Sequence, residues 1–282
     1  MSFAVALFLL TFVTALTCAV PGLFIVLRGQ SMLIDALSHA VLPGIVIGVA
    51  FTGSLHSPVM TLTAMCMGLL VVWGSHEMRS RGLLIGDADQ GIVFPAIFAI
   101  GVLLLSTVFA GIGVSSDTVL AGDLNLLALS SNHVIVGALD IGPADMWIQL
   151  ATLALMVAFL ALTGRVLTTA TFDRAHAVAI GFPVRAVEMV FMVLIALTVV
   201  TSFSVAGSIL VVAFMICPAA TATLCATTLR GALALTVAIA TVNSTLGFAF
   251  SYTFDLATAP TLAVTSGLTF VAVFATTAAL KR

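Results

Sequence analysis

Two ionisable side chains interrupt an otherwise apolar run in the stretch GQSMLIDALSHAVLPGIVIGVA, residues 29–50. They are Asp35 and His39. Four residues apart on a helix, they share one face. Ionisable groups within a membrane span are costly in lipid and usually face a bundle interior or a pathway. A carboxylate and an imidazole together form a donor set for a first-row divalent cation such as Mn²⁺, Fe²⁺ or Zn²⁺. Two ligands from one helix are too few for tight binding. A symmetric or pseudo-symmetric partner bringing the same pair would make four, two nitrogens and two oxygens. The same residues equally suit a buried Asp–His hydrogen bond that packs helices, or a pair near the cytoplasmic surface. A proton relay is a smaller third option.

The remaining histidines carry less. His56 stands beside the outer end of the same run and reads as a loop residue. His76 with Glu77 reads as interfacial, His133 lies in an outer loop, and His176 in an inner one. None forms an HExxH motif, and there is no GxxxxGK[ST] or GxSxG sequence. The only lysine is Lys281. The chain is therefore not itself a P-loop ATPase. Driven transport would draw its energy from another polypeptide or from an ion gradient. Cys18, Cys66, Cys217 and Cys225 all sit in apolar stretches without a CxxC pair, so neither a disulfide scaffold nor a zinc knuckle is indicated.

The elements that must position Asp35 and His39 follow from composition. The 282 residues are 62% hydrophobic and 7% charged. Soluble chains are about 25% charged, so this is a polytopic membrane protein. The apolar stretches lack strand-length alternation, which argues for helices rather than a barrel. The fold class is all-α, a single transmembrane domain over 1–282. The spans read as 3–27, 31–52, 57–75, 91–111, 143–164, 186–205, 207–228, 232–250 and 257–280. The sixth and seventh almost touch around Gly207, as a tight surface turn or as a break within a re-entrant pair, so the count is eight or nine. Charge favours nine. Arg28, Arg79, Arg81, Arg165, Arg174, Arg185, Arg230, Lys281 and Arg282 all follow odd-numbered spans. Nine crossings put every one of them on one face, which the positive-inside rule makes cytoplasmic. The N-terminus is then outside and the C-terminus cytoplasmic. A nucleic-acid partner is excluded, because nine scattered basic residues make no basic stripe.

Two loops stand out. The outer one, 112–142, carries Asp117, Asp123, His133 and Asp140, with a short surface helix expected in DTVLAGDLNLLALSS. The inner one, 168–188, can form an amphipathic helix from Phe172 to Ile180. Asp173 suits its first turn, and Gly181 and Pro183 stop it. Such a helix is either a handle for another protein or a plain interfacial linker. Pro21, Pro43, Pro95 and Pro218 favour kinks, and Gly44 with Gly48 allows close helix contact.

Four of these stretches resemble one family. SMLIDALSHAVLPGIVIG (31–48), DADQGIVFPAIFAIGVLLLS (87–106), FDRAHAVAIGFPVR (172–185) and VAGSILVVAFMICPAATATL (205–224) are similar, in that order, to the zinc/manganese/iron ABC transporter permeases, the ABC-3 family. The resemblance implies a permease of an ATP-driven importer in the bacterial plasma (inner) membrane, with no enzymatic activity or permanently bound cofactor of its own. It implies a second permease subunit, identical or related, two cytoplasmic ATPase subunits and an extracytoplasmic metal-binding protein. It assigns Asp35 and His39 to coordination of the transported Mn²⁺, Fe²⁺ or Zn²⁺. It makes 172–185 the segment that docks in the ATPase, with Asp173, Ala177 and Gly181 as its patterned positions. The chain departs from the family in a longer outer stretch, and in Ala121-Gly122-Asp123 where a Phe-Gly-Asn type is usual. The alternatives from other classes are a gradient-driven secondary cation transporter and a non-transporting membrane scaffold.

Overall fold

The computed structural model describes residues 3–53, 57–80, 88–107, 124–129, 133–136 and 139–280. His56, Arg81, Asp117, the Ala121-Gly122-Asp123 stretch, Lys281 and Arg282 lie outside the described residues, as does most of the outer loop. The elements are α1 (Phe3–Leu27), α2 (Ser31–Thr52), α3 (Pro58–Ser80), α4 (Ala88–Thr107), α5 (Leu124–Leu129), β1 (His133–Val136), β2 (Leu139–Pro143), α6 (Ala144–Phe172), α7 (Arg174–Ala179), α8 (Val184–Cys225), α9 (Leu229–Phe254) and α10 (Thr258–Leu280). Six helices, α1, α2, α6, α8, α9 and α10, are long and apolar enough to cross a membrane, while α3 and α4 hold shorter apolar stretches, Val59–Ser75 and Gly91–Leu104.

Helices satisfy their own backbone, which lipid demands. Many of the hydroxyl side chains within them bond to the backbone of their own helix. Thr11, Thr14 and Ser38 are buried, and each donates its hydroxyl to the carbonyl four residues back. Longer-range polar contacts join elements. Thr17 of α1 donates to the Gln149 carbonyl of α6, and Ser202 of α8 donates to the Gln149 Oε1.

The sixth and seventh apolar segments belong to α8, which breaks at Gly207 (φ 75°, ψ 170°). Phe191, before the break, meets Phe24 of α1 at 6.0 Å between ring centroids. Met215, after it, lies against Gly22 of α1, where even a methyl group would overlap its carbonyl. A straight helix would hold Phe191 and Met215 about 36 Å apart, yet both reach the same turn of α1. The chain therefore doubles back at Gly207, where only glycine adopts the backbone cheaply. Val205, Ala206, Gly207 and Ser208 are all buried, so the turn is enclosed in the bundle rather than lying at a surface.

α8 is the hub, packing on α1, α2, α6, α9 and α10. α2 runs beside α3 through Gly44 and Gly48, which lie against Ala64 and Met60, and Thr63 donates to the Gly44 carbonyl at 2.7 Å. Pro43 nests against Gly101 of α4. At one end of the bundle Leu23, Ala219 and Ala232 cluster, with Leu27 and Leu229 packed on them. Arg28, Arg174, Arg185 and Arg230 gather at this end, and Arg165 lies two turns short of it. At the opposite end Thr258 donates to Asn125 of α5 at 2.9 Å.

Two features differ from the sequence expectation. The short outer helix exists as α5, but its Leu124 is fully buried, so it packs into the bundle instead of lying on a surface. The all-α class holds, with one addition that the sequence reading did not contain, a short antiparallel hairpin, β1 with β2, pairing Ile135 with Asp140 and Val136 with Leu139. Branched side chains in His-Val-Ile-Val favour a pleated strand over a helix.

Candidate functional site

Between its first and last turns α2 is enclosed. From Leu33 to Ala50 the residues that escape full burial are Asp35, His39, Ile47 and Ala50. At 100° per residue these four fall within an arc of about 120°, so α2 has one open face and both ionisable residues are on it. Their side chains are partly exposed, 39% for Asp35 and 29% for His39. His39 Nε2 lies 3.6 Å from Asp35 Oδ1. That is longer than a hydrogen bond. A cation about 2.1 Å from each atom would bridge this gap with an angle near 120°. The pair sits in the first two to three turns of α2, in the half of the helix that begins at the arginine-rich end. Among the described residues no group of three or more His, Cys, Asp or Glu side chains comes together. One chain thus supplies two ligands and no more within that set.

The inner loop folds as the sequence led one to expect, over Arg174–Ala179 instead of Phe172–Ile180. Asp173 is its N-cap, its Oδ1 accepting from the His176 N–H at 2.8 Å. Phe182 donates its N–H to the Ala177 carbonyl and Gly181 to that of Val178. This six-to-one closure needs a left-handed residue at Gly181, whose φ is +83°. Ala177 is fully buried against Ala170 and Val184. Asp173, Ala177 and Gly181 therefore set the shape of α7 and its seat on the bundle. The large apolar side chains turned outward are Phe172, Val178 and Ile180.

The sequence matches the ABC 3 transport family over residues 1–277. The chain belongs to the ABC-3 transport family. It is 34% identical over 258 residues to the manganese transport system membrane protein MntD of Bacillus subtilis (strain 168), covering 92% of this chain and 86% of the relative. It is 33% identical over 210 residues to the zinc transport system membrane protein TroD of Treponema pallidum (strain Nichols), covering 74% of this chain and 56% of that one. In structure it resembles PsaBC from Streptococcus pneumoniae in complex with Fab, with a TM-score of 0.77 at 27% identity over 97% of this chain and 91% of that chain. The chain is accordingly an ABC-3 membrane permease.

In this permease His39 has neighbours that the sequence did not announce. Phe94 of α4 stacks on its ring at 5.6 Å and 24°, and Phe98 meets it edge-on at 5.5 Å and 76°. The two phenyl rings fix the imidazole while leaving Nε2 turned toward Asp35. Residues on a separate helix carry no spacing that would have marked them. A second feature is a charged cluster at the arginine-rich end of the bundle. Arg28 and Arg174 both contact Glu188, although 160 residues separate Arg28 from it in sequence. Burial pulls the Arg28 guanidinium below its ordinary range, Glu188 opposes that, and Arg174 adds to it.

Proposed function

We propose that this ABC-3 permease carries a divalent transition metal, Mn²⁺, Fe²⁺ or Zn²⁺, inward along a path on which Asp35 and His39 hold the ion. The observation that carries the reading is a half-site. A carboxylate and an imidazole stand 3.6 Å apart on the one open face of an otherwise enclosed helix. Relatives named for manganese and for zinc transport support the ion class, since the donor set accepts both metals. A second permease subunit, identical or related, presents the same pair across the path and completes two nitrogens and two oxygens.

In this reading 1–282 is one permease domain with nine crossings, the two limbs of α8 counting separately. The gathering of Arg28, Arg174, Arg185 and Arg230 at one end supports a cytoplasmic assignment for that end, an outside N-terminus and a cytoplasmic C-terminus. The protein then sits in the bacterial inner membrane. Two ATPase subunits bind beneath it and an extracytoplasmic metal-binding protein delivers the ion from above. Asp173, Ala177 and Gly181 serve the ATPase contact by holding α7 in shape, while Phe172, Val178 and Ile180 fill the ATPase cleft.

The test is metal uptake into proteoliposomes holding the permease with its ATPase, with Mn²⁺, Zn²⁺ and Fe²⁺ in competition. ATP-dependent uptake that Asp35→Ala and His39→Ala abolish, with membrane insertion intact, is the expected result. Normal uptake by both variants would remove the pair from the path. Gradient-driven flux through this chain alone would establish a secondary transporter in its place.

A further inference from the structure

Glu188 stands between two arginines that belong to different working parts. Arg174, on α7, donates Nη2 to Glu188 Oε2 at 3.0 Å, and its side chain is 58% exposed. Arg28, in the turn between α1 and α2, places Nη1 3.5 Å from Glu188 Oε1, and its side chain is only 10% exposed. The carboxylate is thus hydrogen-bonded on the α7 side and ion-paired at longer range on the Arg28 side. Arg28 is held by more than charge. Its Nε donates to Thr171 Oγ1 at the end of α6 at 3.1 Å, and its guanidinium lies 5.5 Å over the Phe191 ring of α8. Phe191 in turn touches Phe24 of α1 and Phe159 of α6.

The turn that carries Arg28 is stiff. Gln30 donates its N–H to the Ile25 carbonyl, Gly29 to Val26, and Leu33 to Gln30. α2 starts at Ser31, and Asp35 lies seven residues beyond Arg28, about 10 Å along the chain if helical. A displacement of Arg28 therefore moves the first turns of α2, where Asp35 and His39 sit. On the other side α7 has two attachments to the bundle that are visible here, the buried Ala177 and the Arg174–Glu188 bond.

We infer that Glu188 is a positioning residue that transmits movement of α7 to the metal-bearing start of α2, through Arg174 on one side and Arg28 on the other. The inference rests on the reading of α7 as the ATPase contact and of Asp35 with His39 as the ion site. A single carboxylate shared by two guanidiniums suits this role. Shifting α7 changes which arginine holds the closer contact, and Arg28, largely desolvated, cannot lose its partner without a large electrostatic response.

The experiment measures metal ions taken up per ATP hydrolysed, using the permease reconstituted with its ATPase and with Mn²⁺ as the probe. Glu188→Gln keeps the shape and removes the charge. Arg174→Gln breaks only the exposed arm and leaves Arg28 paired, so it remains informative should the first variant fold poorly. The expected result is an assembled complex that still hydrolyses ATP, with uptake per ATP reduced about fivefold or more in each variant. The double variant should be no worse than Glu188→Gln alone. An unchanged ratio in both assembled variants overturns the inference, and so does a proportional fall of uptake and hydrolysis, which a merely structural role would give. If the unaltered complex shows no ATP-driven uptake, the importer reading itself fails, a result distinct from a failure of Glu188.

Discussion

Replacing Gly207 with alanine tests the fold-back of α8 directly. The residue combines φ 75° with ψ 170°, a region that residues with a Cβ occupy only at a cost of about 1–3 kcal/mol. Alanine also restricts the unfolded chain, which returns about 0.4–1 kcal/mol. The net loss is then between about 0 and 2.6 kcal/mol. Gly164 provides the matched control. It lies inside α6, and a Cβ there meets nothing within 4 Å. Gly164→Ala should stabilise by about 0.5–1 kcal/mol, the usual helix-interior difference. The two substitutions have the same chemistry and opposite signs, so effects of detergent or expression cancel in the comparison. Denaturant unfolding of the purified permease, followed by far-ultraviolet circular dichroism, reads both. A Gly207→Ala protein stabilised as much as the Gly164→Ala one would refute the left-handed turn. The chain reversal that brings Phe191 and Met215 to the same turn of α1 would fall with it.

Asp35→Asn removes the charged member of the half-site. Mn²⁺ uptake by the complete complex should fall by more than the roughly 10–100-fold that loss of an outer partner to a metal ligand costs, and retained uptake would argue against coordination. Asp173→Ala deletes the N-cap of α7, a loss of about 1 kcal/mol; amide exchange over 174–180 should accelerate while that of α6 stays unchanged. Gly22→Ala drives a methyl into the Met215 carbonyl, and because backbone must yield, a loss of about 1–3 kcal/mol is expected in the same unfolding assay.

How much of this was legible in the sequence depended on whether the signal was local. Asp35 and His39 are four apart in an apolar run, so their shared face followed from helical geometry. The N-cap and left-handed stop of α7 followed from Asp173, Gly181 and Pro183. The hairpin β1–β2 was missed, because only His-Val-Ile-Val is rich in branched residues, and Leu-Asp-Ile-Gly-Pro carries a single one. The break at Gly207 appeared as two apolar segments almost in contact, whereas the burial of that turn depended on packing by other elements. Phe94 and Phe98 were hidden because they reach His39 from α4, and nothing in their spacing refers to α2. Arg28 and Glu188 were hidden for the same reason.

These hidden residues share a physical logic. A helix buried on all but one face can move only as its neighbours permit, and α2 is such a helix. Its open face carries the two ligands, while its enclosed faces press on α3 at Gly44 and Gly48 and on α4 at Pro43. Close backbone contact of this kind resists sliding, because each displacement brings a side chain against backbone instead of against a flexible side chain. The start of α2 is also packed, with Leu33, Ile34 and Leu37 in the core, but it alone adjoins the Arg28 turn and its partly buried set of charges. Of the two ion ligands, Asp35 lies nearer the Arg28 turn and His39 nearer Pro43. A change in the charged cluster therefore has more leverage on Asp35 than on any residue beyond Pro43. That ordering predicts graded effects along α2, with amide exchange altered by Glu188→Gln at 31–39 and unchanged at 44–52.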